Sequence, residues 1–332
     1  MNAQNDQLVD SYDVVVIGGG AAGLNGALML ARSRRSVVVI DAGAPRNAPA
    51  EGVHGLLGRE GMPPAELLER GRAEVRGYGG QVVSGEVGSV TWAEGDSTTR
   101  DAVGFVVELA DGRTVRARRV LVATGLVDEL PDVPGLRERW GRDVLHCPYC
   151  HGWEVRDQAI GVLSSGPMSV HQTLLLRQLS DDITFFTHTM EPPTAEEAEQ
   201  LAARDIRVVD GEVASLEIVD DRLVGVRMAD GSVVSREAVA VAPRLVARVG
   251  FLKALGLEAV PHPVGEYVPC DATGRTDEPG VWIAGNATDL SAQVGSAAAA
   301  GAFAAAQINA DLVAAETRTA VAARRGAGVV EG

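Results

Sequence analysis

The chain has 332 residues, 45 acidic against 30 basic side chains, a formal net charge of −15 and 46% hydrophobic residues. That length suits two ordinary domains, and the composition excludes a wholly disordered chain. So acidic a surface repels nucleic-acid phosphate and anionic lipid, so neither nucleic acid nor membrane is expected as a partner.

Residues 1–12 carry no basic n-region, so no export signal is expected. Residues 13–17 form a continuous apolar run, as in a buried parallel strand. The apolar text from Val14 to Ala31 is broken by Gly18, Gly19, Gly20, Gly23, Asn25 and Gly26, which reads as strand, turn and helix and not as a membrane span. The helix is expected to reach about Arg34, and a second strand, 36–40, ends at Asp41. Short strands follow at 81–83, 104–109 and 120–125, with a turn at Asp111 and Gly112. The same grammar then repeats: strand 159–163, turn 165–168, helix 170–179, strand 183–186. The triplet Ala110, Asp111, Gly112 recurs as Ala229, Asp230, Gly231, followed by strand 238–241. The repeat predicts an α/β chain of two Rossmann-like three-layer domains in tandem. The expected division is a discontinuous domain of 10–125 plus 245–315, a central domain of 126–244, and a loose tail of 316–332. A strand at 280–286 leads to an Ala-rich helix expected over 291–313.

Gly18-x-Gly20-x-x-Gly23 follows a strand and opens a helix. The first glycine makes the turn, the second lets a pyrophosphate approach, and the third lets the helix pack on the strand. The helix N-terminus offers free N–H groups and partial positive charge to phosphate. Asp41 ends the next strand, where a carboxylate accepts from a ribose diol. This much does not separate NAD from FAD. The later order favours FAD: Ala42, Arg46 and Asn47; then Ala123, Thr124 and Gly125; then Gly285 and Asn286 before a helix carrying Gln293 and Val294.

The segment His146-Cys147-Pro148-Tyr149-Cys150-His151-Gly152 puts two sulfurs three residues apart with a proline at a helix start. A helix dipole and nearby imidazoles lower a thiol pKa, and thiol–disulfide exchange needs the thiolate. Zinc would want a second ligand pair, and Cys270 stands alone, so no metal is expected. Cys270, His171, His188 and His262 have no partner pattern and are read as structural.

These motifs in this order resemble the two-domain flavin disulfide reductases, and the Cys-x-x-Cys segment is similar to that of thioredoxin reductases, with His151 where that family has Asp. The resemblance implies FAD, with Gly18, Gly20, Ala21, Ala22, Gly23, Asp41, Ala42, Arg46, Asn47, His54, Val87, Ala123, Thr124, Gly125, Gly285, Asn286, Gln293 and Val294 around it. Asn286 replaces the family's usual Asp. The resemblance also implies that Cys150 faces the flavin and Cys147 exchanges with substrate. His151 is then the acid/base, a resting neutral imidazole suited to taking thiol protons, with His146 and Glu154 sharing or orienting the proton. The second-domain turn, 164–169, keeps only Gly166 of its glycines, and Pro167 removes an N–H from any phosphate cradle. Residues 187–193 replace the basic run of the reductases. Together these traits resemble the thioredoxin-reductase-like dithiol oxidases that close disulfides in small natural products such as gliotoxin and holomycin. The implied reaction oxidises a small-molecule dithiol, with O₂ reoxidising FAD to give H₂O₂. The alternatives are a disulfide reductase fed by NADPH or ferredoxin, and a non-catalytic flavin- or metal-binding sensor. A homodimer and a cytoplasmic location are expected.

Overall fold

The computed structural model of the protein describes residues 8–93 and 104–327. The β-branched runs become strands buried on both faces. Ser11–Ile17 and Val37–Asp41 pair in parallel, with Val14 beside Val37 and Ile17 beside Ile40. Helix Ala21–Arg32 connects them. The first sheet has the order Gln81–Ser84, Val37–Asp41, Ser11–Ile17, Thr114–Val122, Phe105–Leu109, Val87–Trp92. The long strand Thr114–Val122 splits its far edge: residues 114–117 pair with Phe105–Leu109, and residues 120–122 with Val281–Ile283. The first sheet is thus completed by a strand from near the other end of the chain.

The second parallel sheet runs Arg207–Val209, Ile183–Phe186, Ile160–Leu163, Ala238–Val241, Val144–Leu145. Strands 183–186 and 238–241 lie where the sequence puts them, and the expected helix is Ser169–Leu176. A three-stranded antiparallel sheet, Val213–Val219, Arg222–Met228 and Val233–Ser235, packs beside it. The repeated Ala-Asp-Gly triplets are equivalent hairpin turns: Gly112 and Gly231 both have φ +88°, and their N–H groups donate to Leu109 and Met228 carbonyls at 2.9 and 3.0 Å. Where the chain leaves the first sheet and returns to it, Leu126–Glu129 and Arg244–Ala247 pair antiparallel within a four-stranded ribbon.

Three expectations change near the C-terminus. The strand at 280–286 is only Val281–Ile283, because Gly285 at φ +74° turns the chain into a short 3₁₀ segment, Gly285–Ala287. The Ala-rich helix begins at Val294, not 291, since residues 289–292 form a turn held by the Asp289 carboxylate. The expected loose tail is helix as far as Ala327, with 328–332 outside the described residues. Long-range ion pairs tie that helix down: Asp311 to the buried Arg119 at 2.6 Å, and Glu316 to Arg35 and Arg118 at 2.6 and 2.7 Å. By length and composition alone the helix could cross a bilayer. Its Ala297, Ala304, Ala305, Ile308 and Leu312 are nevertheless buried in the core shared with helix Ala21–Arg32.

Candidate active site

A cavity of about 830 Å³ runs from the first glycine turn to the cysteine pair, a size proper to small-molecule sites. Its floor is set by close backbone packing. Gly18 (φ +106°) would put a Cβ 2.4 Å from the Ala123 carbonyl oxygen, and a Cβ on Gly23 would lie 1.9 Å from Gly18 O. Gly20 meets nothing within 4 Å, which leaves its backbone open to the cavity. It caps helix Ala21–Arg32 without a side-chain bond. Leu24 is the first residue of that helix to donate within it, to Gly20 O at 2.9 Å, so the N–H groups ahead of it point at whatever lies above the turn.

Every cofactor residue expected from the sequence borders this cavity except Gly23, which packs behind it. Several are already engaged. Asp41 accepts from Arg72 at 3.0 Å and from the Gly43 N–H at 3.1 Å. Arg46, expected toward the adenosine half, gives its guanidinium bidentately to the largely buried Asp128, at 2.7 Å in each arm. Thr124 donates its hydroxyl to Arg248 O at 2.7 Å. Asn286 donates to the carbonyls of Asp289 and Ala292 at 3.0 and 2.9 Å. An ionised Asp there could make neither bond, so the amide holds the turn that leads into helix Val294–Ala327. Open glycine backbone, unpaired helix N–H groups, a carboxylate at one end and an amide at the other together fit FAD.

The cysteines close the other end. Cys147 caps the one-turn helix Pro148–His151, and its Sγ accepts the Cys150 N–H at 3.2 Å. The two sulfurs form a disulfide, with Cα atoms 5.2 Å apart. The helix ends after one turn, where Gly152 packs on Leu179 and the chain turns into the 3₁₀ segment Trp153–Val155. A single turn carries only a small dipole, and the charges acting on the imidazoles beside the pair include Glu154, Glu51, Arg46 and Asp128.

Burial pushes the His151 imidazole below its ordinary range, and His54 adds to this, while Glu154 and Glu51 pull it back up. Neutral imidazole therefore prevails at pH 7. Burial also lowers His146, helped by Arg46 and opposed by Asp128; its Nδ1–H donates to Val241 O at 3.3 Å. Gln172 donates to His146 O at 2.6 Å and holds the chain entering the redox helix. Glu154 faces His54, with 3.4 Å between Oε1 and Nε2, and the other nitrogen of His54 lies 2.6 Å from Glu60. Arg72 was not legible as a site residue because helix Pro64–Gly77 brings it to Asp41 from 31 residues away, and Glu60 because only the folding of its loop turns it onto His54.

Cys270 is a free cysteine outside the lining of the cavity; its sulfur contacts the Thr288 hydroxyl at 3.0 Å. His188 and His262 accept backbone N–H groups from Val213 and Val264. Among the described residues no cluster of three His, Cys, Asp or Glu side chains could hold a metal.

The second turn is built differently. The Ser169 hydroxyl accepts the N–H groups of Ser165 and Gly166 at 3.1 and 3.2 Å and donates to Gly166 O at 2.8 Å. Two donors of a possible phosphate cradle are thereby taken up by the chain's own side chain. Beyond the next strand, Thr187 accepts the Gly211 N–H, and burial pushes the His188 imidazole down toward its neutral form.

This fold and site define a flavin-dependent disulfide oxidoreductase. The chain belongs to the pyridine nucleotide-disulphide oxidoreductase family, whose model matches residues 12–306; it is an enzyme of the thioredoxin-reductase-like class, and its cofactor is FAD. It is similar to thioredoxin reductase tcpT of Claviceps purpurea, 31% identical over 82% of this chain and 86% of that protein. Thioredoxin reductase aclD of Aspergillus oryzae is 30% identical over 87% and 95%. The crystal structure of HlmI superimposes with a TM-score of 0.90 at 49% identity, covering 98% of this chain and 100% of that one.

Proposed function

We propose that the protein oxidises a small-molecule dithiol to an intramolecular disulfide through Cys147 and Cys150, with O₂ as final acceptor and H₂O₂ as by-product. The observation that carries this reading is the contrast between the two turns. The first presents open backbone to a cavity that ends at the disulfide, whereas in the second the Ser169 hydroxyl occupies the N–H groups of Ser165 and Gly166. A chain that takes electrons from a dithiol has no need of a nicotinamide site.

Cys147 is the sulfur we assign to substrate attack, and Cys150 the one toward the flavin. The attacking substrate thiolate forms a mixed disulfide with Cys147 and expels the Cys150 thiolate. His151, neutral through burial, takes the proton of the second substrate thiol, which then closes the product disulfide and releases the Cys147 thiolate. Bound FAD supplies the two-electron acceptor that returns the pair to its disulfide. His146, with Nδ1–H on Val241 O, keeps its other nitrogen as an acceptor and borders the same cavity as Cys147. We propose further that the enzyme acts as a cytoplasmic homodimer, which light scattering of the purified protein and fractionation of the source cells test.

The decisive experiment mixes the purified protein without oxygen, separately with NADPH and with a small dithiol, in a stopped-flow spectrophotometer. Dithiol bleaches the flavin, Cys150→Ser abolishes the bleaching, and admitted air restores the colour with release of peroxide. Rapid bleaching by NADPH at micromolar concentration would instead identify a reductase.

A further inference from the structure

The exchange chemistry above leaves unused a row of acids and imidazoles beside the redox pair. His54 lies in the loop after strand Val37–Asp41, and both of its ring nitrogens face carboxylates. Nδ1 is 2.6 Å from Glu60 Oε1, and Nε2 is at ion-pair distance, 3.4 Å, from Glu154 Oε1. Ionised carboxylates only accept, and a neutral imidazole has one N–H. Both contacts are favourable together only when the trio holds one proton more than two carboxylates and a neutral ring. Glu60 is fixed by the Gly55 N–H, which donates to its other oxygen at 2.9 Å, and its side chain is 67% exposed. Glu154 follows His151 by three residues, across the joint between the redox helix and the Trp153–Val155 turn. The charged groups acting on His151 are Glu154 from its own segment and His54 and Glu51 from the facing loop.

We propose that Glu60, His54 and Glu154 form a proton chain connecting His151 to solvent, which clears His151 between turnovers. The proposal rests on the dithiol-oxidising reading of the site. In that half-reaction two substrate S–H bonds and the Cys147–Cys150 bond break and one product S–S bond forms. The two electrons stay on the cysteine pair as thiolates, and two protons are released. One leaves as the attacking thiol ionises, and His151 takes the other. His151 passes it through one water molecule to Glu154, three residues on, which hands it to His54 Nε2, while His54 Nδ1 gives its proton to Glu60 and so to water. The two protons are recovered when O₂ is reduced to H₂O₂, so the full cycle balances.

His54→Gln keeps an amide donor and acceptor at the site but cannot relay a proton, and Glu60→Gln removes the exposed terminus. The probe is dithiothreitol, and the readout is anaerobic flavin reduction from about pH 6 to 9, the range in which imidazoles titrate, with flavin content measured first. His54→Gln is expected to slow reduction about tenfold, the low side of what a positioned proton-transfer group contributes. The slowing should be greatest at low pH, where solvent hydroxide is scarcest. His54→Ala should regain most of its rate with added imidazole, and Glu60→Gln should show a smaller slowing of the same pH form. Uniform slowing across pH with no imidazole rescue, or profiles that superimpose on the wild type, would overturn the proton chain while leaving the dithiol reading intact. If no dithiol reduces the wild-type flavin at any pH, the dithiol reading itself fails and the proton chain falls with it.

Discussion

The two nucleotide-type turns share a strand–turn–helix plan and differ in what fills the turn. In the first, residues without side chains let backbone meet backbone, and Gly20 faces open space. In the second, Ser169 folds its hydroxyl back onto Ser165 and Gly166. One architecture thus yields a ligand cradle or a closed structural turn according to whether the donors are left free. A closed turn is no defect in stability terms, since each donor it satisfies would otherwise need water or a ligand.

Substitutions can break that contrast, beginning with the most severe. Gly23→Ala places a methyl group 1.9 Å from Gly18 O. We expect loss of flavin and destabilisation above about 3 kcal/mol, read from flavin absorbance and urea unfolding. Gly166→Ala, at the second turn, meets nothing within 4 Å and should stay within about 0.5 kcal/mol of wild type. If both variants behave alike, the two turns are not different in kind. Arg119→Ala leaves the partly exposed Asp311 on the long C-terminal helix without its partner and should cost about 2 kcal/mol, below the full penalty for stranding a buried charge. Ser169→Ala frees two N–H groups in the second turn and should cost about 1–2 kcal/mol. It should not make NADPH bleach the flavin, because Pro167 still lacks an N–H. Bleaching in this variant would mean that the serine alone closes the site.

A smaller effect than at Ser169 is expected at Glu316, whose ion pairs with Arg35 and Arg118 lower its carboxyl to about 2. A depressed carboxylate contributes stability above its unfolded value, and that contribution is lost as pH falls toward the folded one. The Glu316 side chain is 43% exposed, so solvent screening limits the gain to within about 1 kcal/mol. Glu316→Gln should therefore melt below the wild type at pH 7 and converge with it near pH 2–3.

Much of this molecule was legible in its residues. Runs of Val and Ile fix strands by burial on both faces, and Gly18 and Gly23 fix the first turn because only a missing Cβ fits there, while Gly20 leaves the space above the turn open. The cysteine pair needs only three residues of chain to bring its sulfurs together. Arg46 borders the cavity, but its pairing with Asp128 could not be read from the sequence, since 82 residues separate them. The tail past 315 read as loose because its anchors, Arg35, Arg118 and Arg119, lie far away in sequence.

The amino-acid sequence alone determined the strands, the glycine turn and the redox helix, which depend on near neighbours and on side-chain shape. It also set the acidic balance, and the structure spends part of that balance on a few arginines. Tertiary structure decided which distant groups share a field. It brought Glu60 and His54 of one loop against Glu154 beside the disulfide, and it turned the Ser169 hydroxyl onto its own turn. Hydrogen bonds and charges act through space over a few ångströms, and only the folded chain sets which groups come that close.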